Sequence, residues 1–302
     1  MNSLSRRQFL TRTAGLALAG GALAAHAVEP LQRRGGPRLR LSCAAYSFRD
    51  TFNHADPAKR ITMMDFVDFC ADHGCDGAEV TSYYFPKDVT TDWLLQLKRH
   101  AFLRGVDFSG TAVGNNFARP DGPELDREIA SVKEWIDRAA LLGAPHIRVF
   151  AGDPKGLDAA AARKQCIRAL EQCGAYAAEK GVWLGLENHG GIVAQVKDLL
   201  EIVRAVNCPV VGVNFDSGNF YGPDDPYEDM ARLAPYTVNA QIKVEVNRPG
   251  KGKEPTDLPR VVKILREANY QGWVALEYEA AEDPWKAVPV WLKRMQDAFV
   301  AA

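Results

Sequence analysis

From Leu41 to the C-terminus, short apolar runs alternate with longer stretches in which apolar residues recur every three or four positions. Runs of the first kind read as buried parallel strands, and those of the second as amphipathic helices. The strands fall at 41–47, 77–81, 106–112, 146–150, 182–187, 210–216, 239–244 and 273–277. Between and after them, helices are predicted at 61–73, 92–104, 125–142, 158–180, 192–205, 227–233, 258–268 and 285–299. Gly74, Gly105, Gly143, Gly181 and Gly272 each stand between a helix and the following strand, where a left-handed cap is expected. Eight strand–helix units predict an α/β fold of the (β/α)8 TIM-barrel type, a single domain over residues 40–302. An open doubly wound sheet would carry a Gly-rich phosphate turn after its first strand. Here that position reads Tyr46-Ser47-Phe48-Arg49.

Four of the apolar runs carry an oxygen-bearing side chain at an end: Glu187 in V-W-L-G-L-E, Asp216 in V-V-G-V-N-F-D, Gln241 in Q-I-K-V and Glu277 in W-V-A-L-E. Successive members lie 25 to 36 residues apart, room for one strand–helix unit each. The pattern therefore brings three carboxylates and a carboxamide to one mouth of the barrel, where ligands bind. Three carboxylates share a small volume at neutral pH only if a cation offsets their repulsion, and an all-oxygen set suits a hard divalent ion. The expected ligands are Glu187, Asp216, Gln241 and Glu277, with Mn²⁺ or Mg²⁺ ahead of Co²⁺ or Zn²⁺. Glu79, Arg148, His189 and Lys243 also sit at or just past strand ends and are expected to contact substrate. Arg148 and Lys243 have a second reading, as counter-charges that neutralise the carboxylates, because a lone buried guanidinium costs several kcal/mol. Tyr83, Tyr84 and Phe85 are candidate walls of a sugar pocket.

Composition narrows the partners. The chain has 302 residues, 47% of them hydrophobic, and a net charge of −1, with no basic stripe for nucleic acid. A small molecule is the expected partner, which the resemblance described below narrows to a carbohydrate, with a homo-oligomer an open option and no stable membrane anchor. Ser5-Arg6-Arg7-Gln8-Phe9-Leu10, a Gly- and Ala-rich stretch and Ala25-His26-Ala27 have the layout of a twin-arginine signal over residues 1–27, which implies a periplasmic enzyme. Residues 28–39, rich in Pro, Arg and Gly, read as a flexible leader. The six cysteines show no C-x-x-C spacing and read as buried thiols, Cys70 and Cys75 being the one pair worth checking.

E-N-H-G-G after the fifth strand, N-F-D-S-G-N after the sixth, Q-I-K-V in the seventh and A-L-E-Y in the eighth resemble the sugar phosphate isomerase/epimerase family. This is the xylose isomerase-like TIM-barrel superfamily, and the resemblance covers roughly residues 40 to 300. The resemblance implies a metal-ligand order Glu, Asp, His, Glu that falls on Glu187, Asp216, Gln241 and Glu277, with Gln241 where His is usual. It also implies proton abstraction next to a carbonyl through an enediolate, with Glu187 and Glu277 as the catalytic pair. The expected activity is that of a metal-dependent sugar isomerase or epimerase. A lyase acting on a 3-keto-glycoside, or eliminating water, is the alternative, and a non-catalytic sugar-binding protein the second.

Overall fold

The computed structural model describes residues 28–248 and 250–301, so the predicted export signal lies outside the described residues. Eight parallel strands close into a barrel: β1 (Arg38–Ala44), β2 (Gly77–Thr81), β3 (Asp107–Ala112), β4 (His146–Val149), β5 (Trp183–Glu187), β6 (Val211–Asp216), β7 (Thr237–Ile242) and β10 (Gln271–Leu276). The two remaining strands, β8 (Glu245–Arg248) and β9 (Gly252–Pro255), form an antiparallel hairpin between β7 and its helix. The expected TIM barrel is thus observed. No described helix is long and apolar enough to cross a membrane.

The helices begin and end where local chemistry provides for them. Thr62 and Asp65 form a reciprocal capping box on the helix Met63–Asp72, and Asp158 accepts from the Ala161 N–H at 2.8 Å to start Ala159–Lys180. Gly105, Gly143 and Gly181 end their helices in the left-handed conformation, as expected. Gly272 does not. It lies inside β10, and Asn269 takes the left-handed position at φ 53°. The absent Cβ at Gly272 leaves room for the Tyr270 hydroxyl, which would otherwise sit 2.6 Å away.

Two further differences from the sequence pattern concern the barrel's ends. The segment expected as a loose leader is fastened across the amino end of the barrel. The Leu31 N–H donates to the Pro235 carbonyl at 2.9 Å, Asn269 reaches the Arg33 carbonyl at 3.2 Å, and Gln271 reaches that of Arg34 at 2.7 Å. At the carboxyl end the pattern assigns no element between Val244 and Leu258, yet the hairpin stands there. Its strands are mostly polar, with β8 half-buried around Val246 and β9 largely exposed, so they lack the apolar run that marks a buried strand.

Inside the barrel near its amino end, the His146 imidazole is fully enclosed, and burial pushes its pKa down to about 3. Gly110 supplies the space for it, since a Cβ there would lie 1.9 Å from the ring. Gly110→Ala is therefore expected to cost about 3 kcal/mol, the upper end for overpacking a filled core. Urea denaturation measures this, and Gly110→Ala combined with His146→Ala should recover most of the loss if the ring is the obstacle.

Candidate active site

The carboxyl ends of β4 to β7 and β10 converge on a buried polar cluster. The strand register sets Asp216 beside Gln241, Gln241 beside Ala275, and Arg148 beside Gly185. Glu187, Asp216 and Glu277 are all buried. Each is held by named partners. Arg148 Nε lies 2.9 Å from Glu187 Oε2, and Asn219 donates to Glu187 Oε1 at 3.1 Å and to Asp216 Oδ2 at 2.9 Å. The Gly218 N–H donates to Asp216 Oδ1 at 2.7 Å. Lys243 Nζ stands 3.0 Å from Glu277 Oε2 and 3.4 Å from Asp216 Oδ2, and it also pairs with Glu279.

The electrostatics follow from burial and these pairings. Burial pushes the Glu187 carboxyl up to about 7, with Arg148 pulling down and the neighbouring Glu277 pushing up. Asp216 is held well above the usual carboxylate range by burial, against the pull of Lys243. For Glu277, burial is outweighed by Lys243, and the group stays below its ordinary value. Burial would discharge the Lys243 ammonium, but the charges of Asp216, Glu277 and Glu279 prevail and raise its pKa.

Gln241 takes a different place from the one expected of it. Its Oε1 accepts from Asn214 at 2.5 Å, and its Nε2 donates to Glu79 Oε1. Asn239 Nδ2 donates to Glu79 Oε2 at 2.7 Å and to Asn214 Oδ1 at 2.9 Å. Glu79, Asn239, Asn214 and Gln241 thus form a closed ring of hydrogen bonds within the barrel. Burial, with Glu277 adding to it, pushes the Glu79 carboxyl up to about 7 against the pull of the two amides. Glu79, expected at the substrate, is spent in this ring.

The residues expected to hold a metal therefore do not fit one as they stand. Both polar atoms of the Gln241 carboxamide are committed, and an ammonium group sits against the Asp216 and Glu277 oxygens. Among the described residues, no three His, Cys, Asp or Glu side chains are placed to hold a metal ion. The reason is a matter of charge: the sequence argument required a cation among the carboxylates, and Arg148 and Lys243 supply two.

The other expected contacts divide. Arg148 faces the site, its guanidinium 3.8 Å from the Phe150 ring centroid and 3.4 Å from the Tyr83 hydroxyl. His189 does not join the carboxylates; it is exposed at the mouth, with its ring against Phe150. Tyr83 is exposed at the rim, whereas Tyr84 stacks on Phe52 at 4.4 Å and Phe85 is buried against Trp93 and Trp135. All six cysteines, Cys70 and Cys75 included, are buried free thiols. The residues not singled out from sequence include Glu279, which pairs with Lys243, and several amides. Asn188 accepts from the Asp216 N–H at 2.9 Å and donates to the Asp216 and Asn219 carbonyls, tying the β5 loop to the β6 loop. Asn188 and Asn219 both lie within the E-N-H-G-G and N-F-D-S-G-N motifs, so the signal was present in the sequence.

Above the cluster lies a cleft of about 340 Å³, lined in part by Asn219, Tyr221, Lys243, Asn247, Lys253 and Glu279. Asn247 and Lys253 come from the β8–β9 hairpin, so that unpredicted element forms part of the cleft wall.

A family model described as "Xylose isomerase-like TIM barrel" matches residues 67–295. The chain belongs to that family. Among solved structures, D-psicose 3-epimerase of Clostridium cellulolyticum H10 with D-tagatose is similar at 16% identity and a TM-score of 0.67, covering 86% of this chain and 97% of that one. The 3-keto-D-glucoside 4-epimerase of E. coli is similar at 16% identity and a TM-score of 0.67, covering 85% and 100%. The IOLI protein with a binding zinc atom is similar at 17% identity and a TM-score of 0.66, covering 86% and 96%. At these identities the likeness is one of fold. No curated protein matches the chain.

Proposed function

We propose that this member of the family is a sugar isomerase or epimerase that moves a proton at the carbon next to the carbonyl of a keto sugar. The observation that carries the reading is that Glu187, at the end of β5, and Glu277, just past β10, are buried carboxyls held by Asn219 and Lys243, two residues that also line a sugar-sized cleft. One carboxylate takes the C–H proton. The electron pair of the broken bond forms a C=C bond, and the carbonyl π electrons move to oxygen, giving an enediolate. Reprotonation restores a carbonyl: for an epimerase, from the second carboxyl on the opposite face of the same carbon; for an isomerase, at the former carbonyl carbon, with the proton of the neighbouring hydroxyl passing to the former carbonyl oxygen. Arg148 and Asn219 fix the Glu187 carboxyl, while Asn219, Tyr221 and Asn247 offer polar atoms to the sugar hydroxyls. The similar structures that are sugar epimerases support this class. If residues 1–27 act as the export signal that they resemble, the substrate is an unphosphorylated sugar or glycoside met in the periplasm.

The test is proton exchange in D₂O. The purified chain, incubated with a panel of keto sugars and 3-keto-glycosides, is expected to place deuterium next to the carbonyl of at least one, seen by NMR as loss of a C–H signal. Binding of a panel member without any exchange would favour a sugar-binding protein. Exchange accompanied by loss of a β-substituent would favour a lyase.

A further inference from the structure

We infer that the Lys243 ammonium is the built-in cation of this site, filling the role that the carboxylates alone would give to a divalent metal, so that the chain works without one. The geometry is specific. Lys243 follows β7, and its side chain, 12% exposed, reaches the Glu277 and Asp216 carboxylates and Glu279 while also lining the cleft. Its stem is seated in a slot made for it. A Cβ at Gly218 would lie 2.5 Å from Lys243 Cδ, and the Lys243 N–H donates to Ser217 Oγ at 2.8 Å. A larger residue at 218 would displace the lysine from the carboxylates, so the S-G turn after Asp216 and the lysine after β7 are matched parts.

The remaining donors agree. Arg148 and Asn219 hold the two Glu187 oxygens, and the Gly218 N–H and Asn219 hold those of Asp216. Gln241, at the position that the resemblance would give to a ligand, has both polar atoms engaged, its oxygen by Asn214 and its nitrogen by Glu79. A divalent ion entering among these oxygens would meet an ammonium group already 3.0 Å from Glu277 Oε2, and like charges in so enclosed a space repel strongly. Because Lys243 lines the cleft as well as facing the carboxylates, its positive charge is available to stabilise an enediolate oxygen that develops in that cleft. The inference deepens the proposed reaction and rests on it in this last respect; the charge argument stands without it.

Metal content tests the inference independently of turnover. The native chain, purified and dialysed against buffer with Mn²⁺, is expected to retain far less than one ion per chain by elemental analysis, and EDTA should leave its melting temperature unchanged. Lys243→Met frees Asp216 and Glu277 without a counter-charge. It is expected to gain an Mn²⁺ site visible in the electron paramagnetic resonance spectrum, with Mn²⁺ raising its melting temperature by roughly 5 °C. Lys243→Arg keeps the charge and should bind no more than the native chain. One tightly held divalent ion per native chain, whose removal lowers the melting temperature, would overturn the inference, as would a folded Lys243→Met that ignores Mn²⁺. If Lys243→Met does not fold, the native chain and Lys243→Arg decide the matter. Failure of proton exchange across the sugar panel would sink the proposed reaction and leave the metal result standing.

Discussion

Glu187→Gln and Glu277→Gln are each expected to lower kcat for the exchanging sugar by about 10²- to 10⁴-fold, the usual contribution of a positioned proton-transfer group. A carboxamide preserves volume and can still hydrogen bond to Asn219 or Lys243, but it cannot take up the substrate proton. The loss should therefore fall on kcat, with KM changed little. The two variants are expected to differ in one respect. If the carboxyls serve opposite faces, one variant retains deuterium exchange into the substrate without forming product, and the other loses both. Near-normal kcat in both would remove the two-glutamate mechanism and leave Lys243 as the titratable group that faces both the cleft and the carboxylates.

Arg148→Met carries the largest expected stability effect. Its guanidinium is buried, pairs with the equally buried Glu187 at 2.9 Å, donates to the Val113 carbonyl at 3.1 Å and lies over Phe150. Removing one partner of a buried pair leaves the other charge uncompensated, at a cost of about 3–5 kcal/mol. Urea denaturation should show that loss in the single variant and much less in Arg148→Met with Glu187→Met, where no charge is stranded. The pH dependence has a definite sign. The Glu187 carboxyl, already pushed up to about 7 by burial against the pull of Arg148, binds more protons folded than unfolded, so its contribution to stability falls as pH rises from the ordinary carboxylate range through about 7. Without Arg148 that carboxyl rises further, and the deficit is expected to be greater at pH 8 than at pH 5.5. An equal loss at both values would mean that packing, not charge, sets the cost.

The barrel itself was legible because its signal is repeated and strong. A buried parallel strand is largely apolar on both faces, so β5, β6 and β10 appear as short, nearly unbroken apolar runs, each closed by a polar residue that faces the mouth. That rule found Glu187, Asp216 and Glu277 in their places. It failed at Gln241 for a physical reason. Period-2 alternation says which face of a strand a side chain leaves from, but not whether a longer polar side chain reaches up toward the mouth or sideways to another strand. Glu79 and Gln241 both reach sideways, and their partner Asn239 lies two residues before Gln241, on the same face. Lys243 illustrates the complementary difficulty. Sequence gave two readings, a hydroxyl contact or a counter-charge, and only the distances to Glu277 and Asp216 favour the second. The β8–β9 hairpin was missed because Val246 is its one buried apolar residue and the rest is mostly polar, held by side-chain pairs such as Arg248 with Glu254 and Asp225 rather than by an apolar stripe.

The ring formed by Glu79, Asn239, Asn214 and Gln241 constrains how this barrel can change over generations. A single step from Gln241 to histidine would replace the carboxamide by a shorter, rigid ring whose donor and acceptor point elsewhere, and a Glu79 oxygen or Asn214 amide left alone by that change costs about 1–3 kcal/mol. Against the few kcal/mol by which a domain is stable, such a step is a serious loss before any benefit accrues. The route to a histidine at this strand position therefore runs through compensating changes at Glu79 or Asn214, or does not run at all. In that sense these four side chains act as a ratchet: once assembled, they hold one another in the lineage as firmly as they do in the fold.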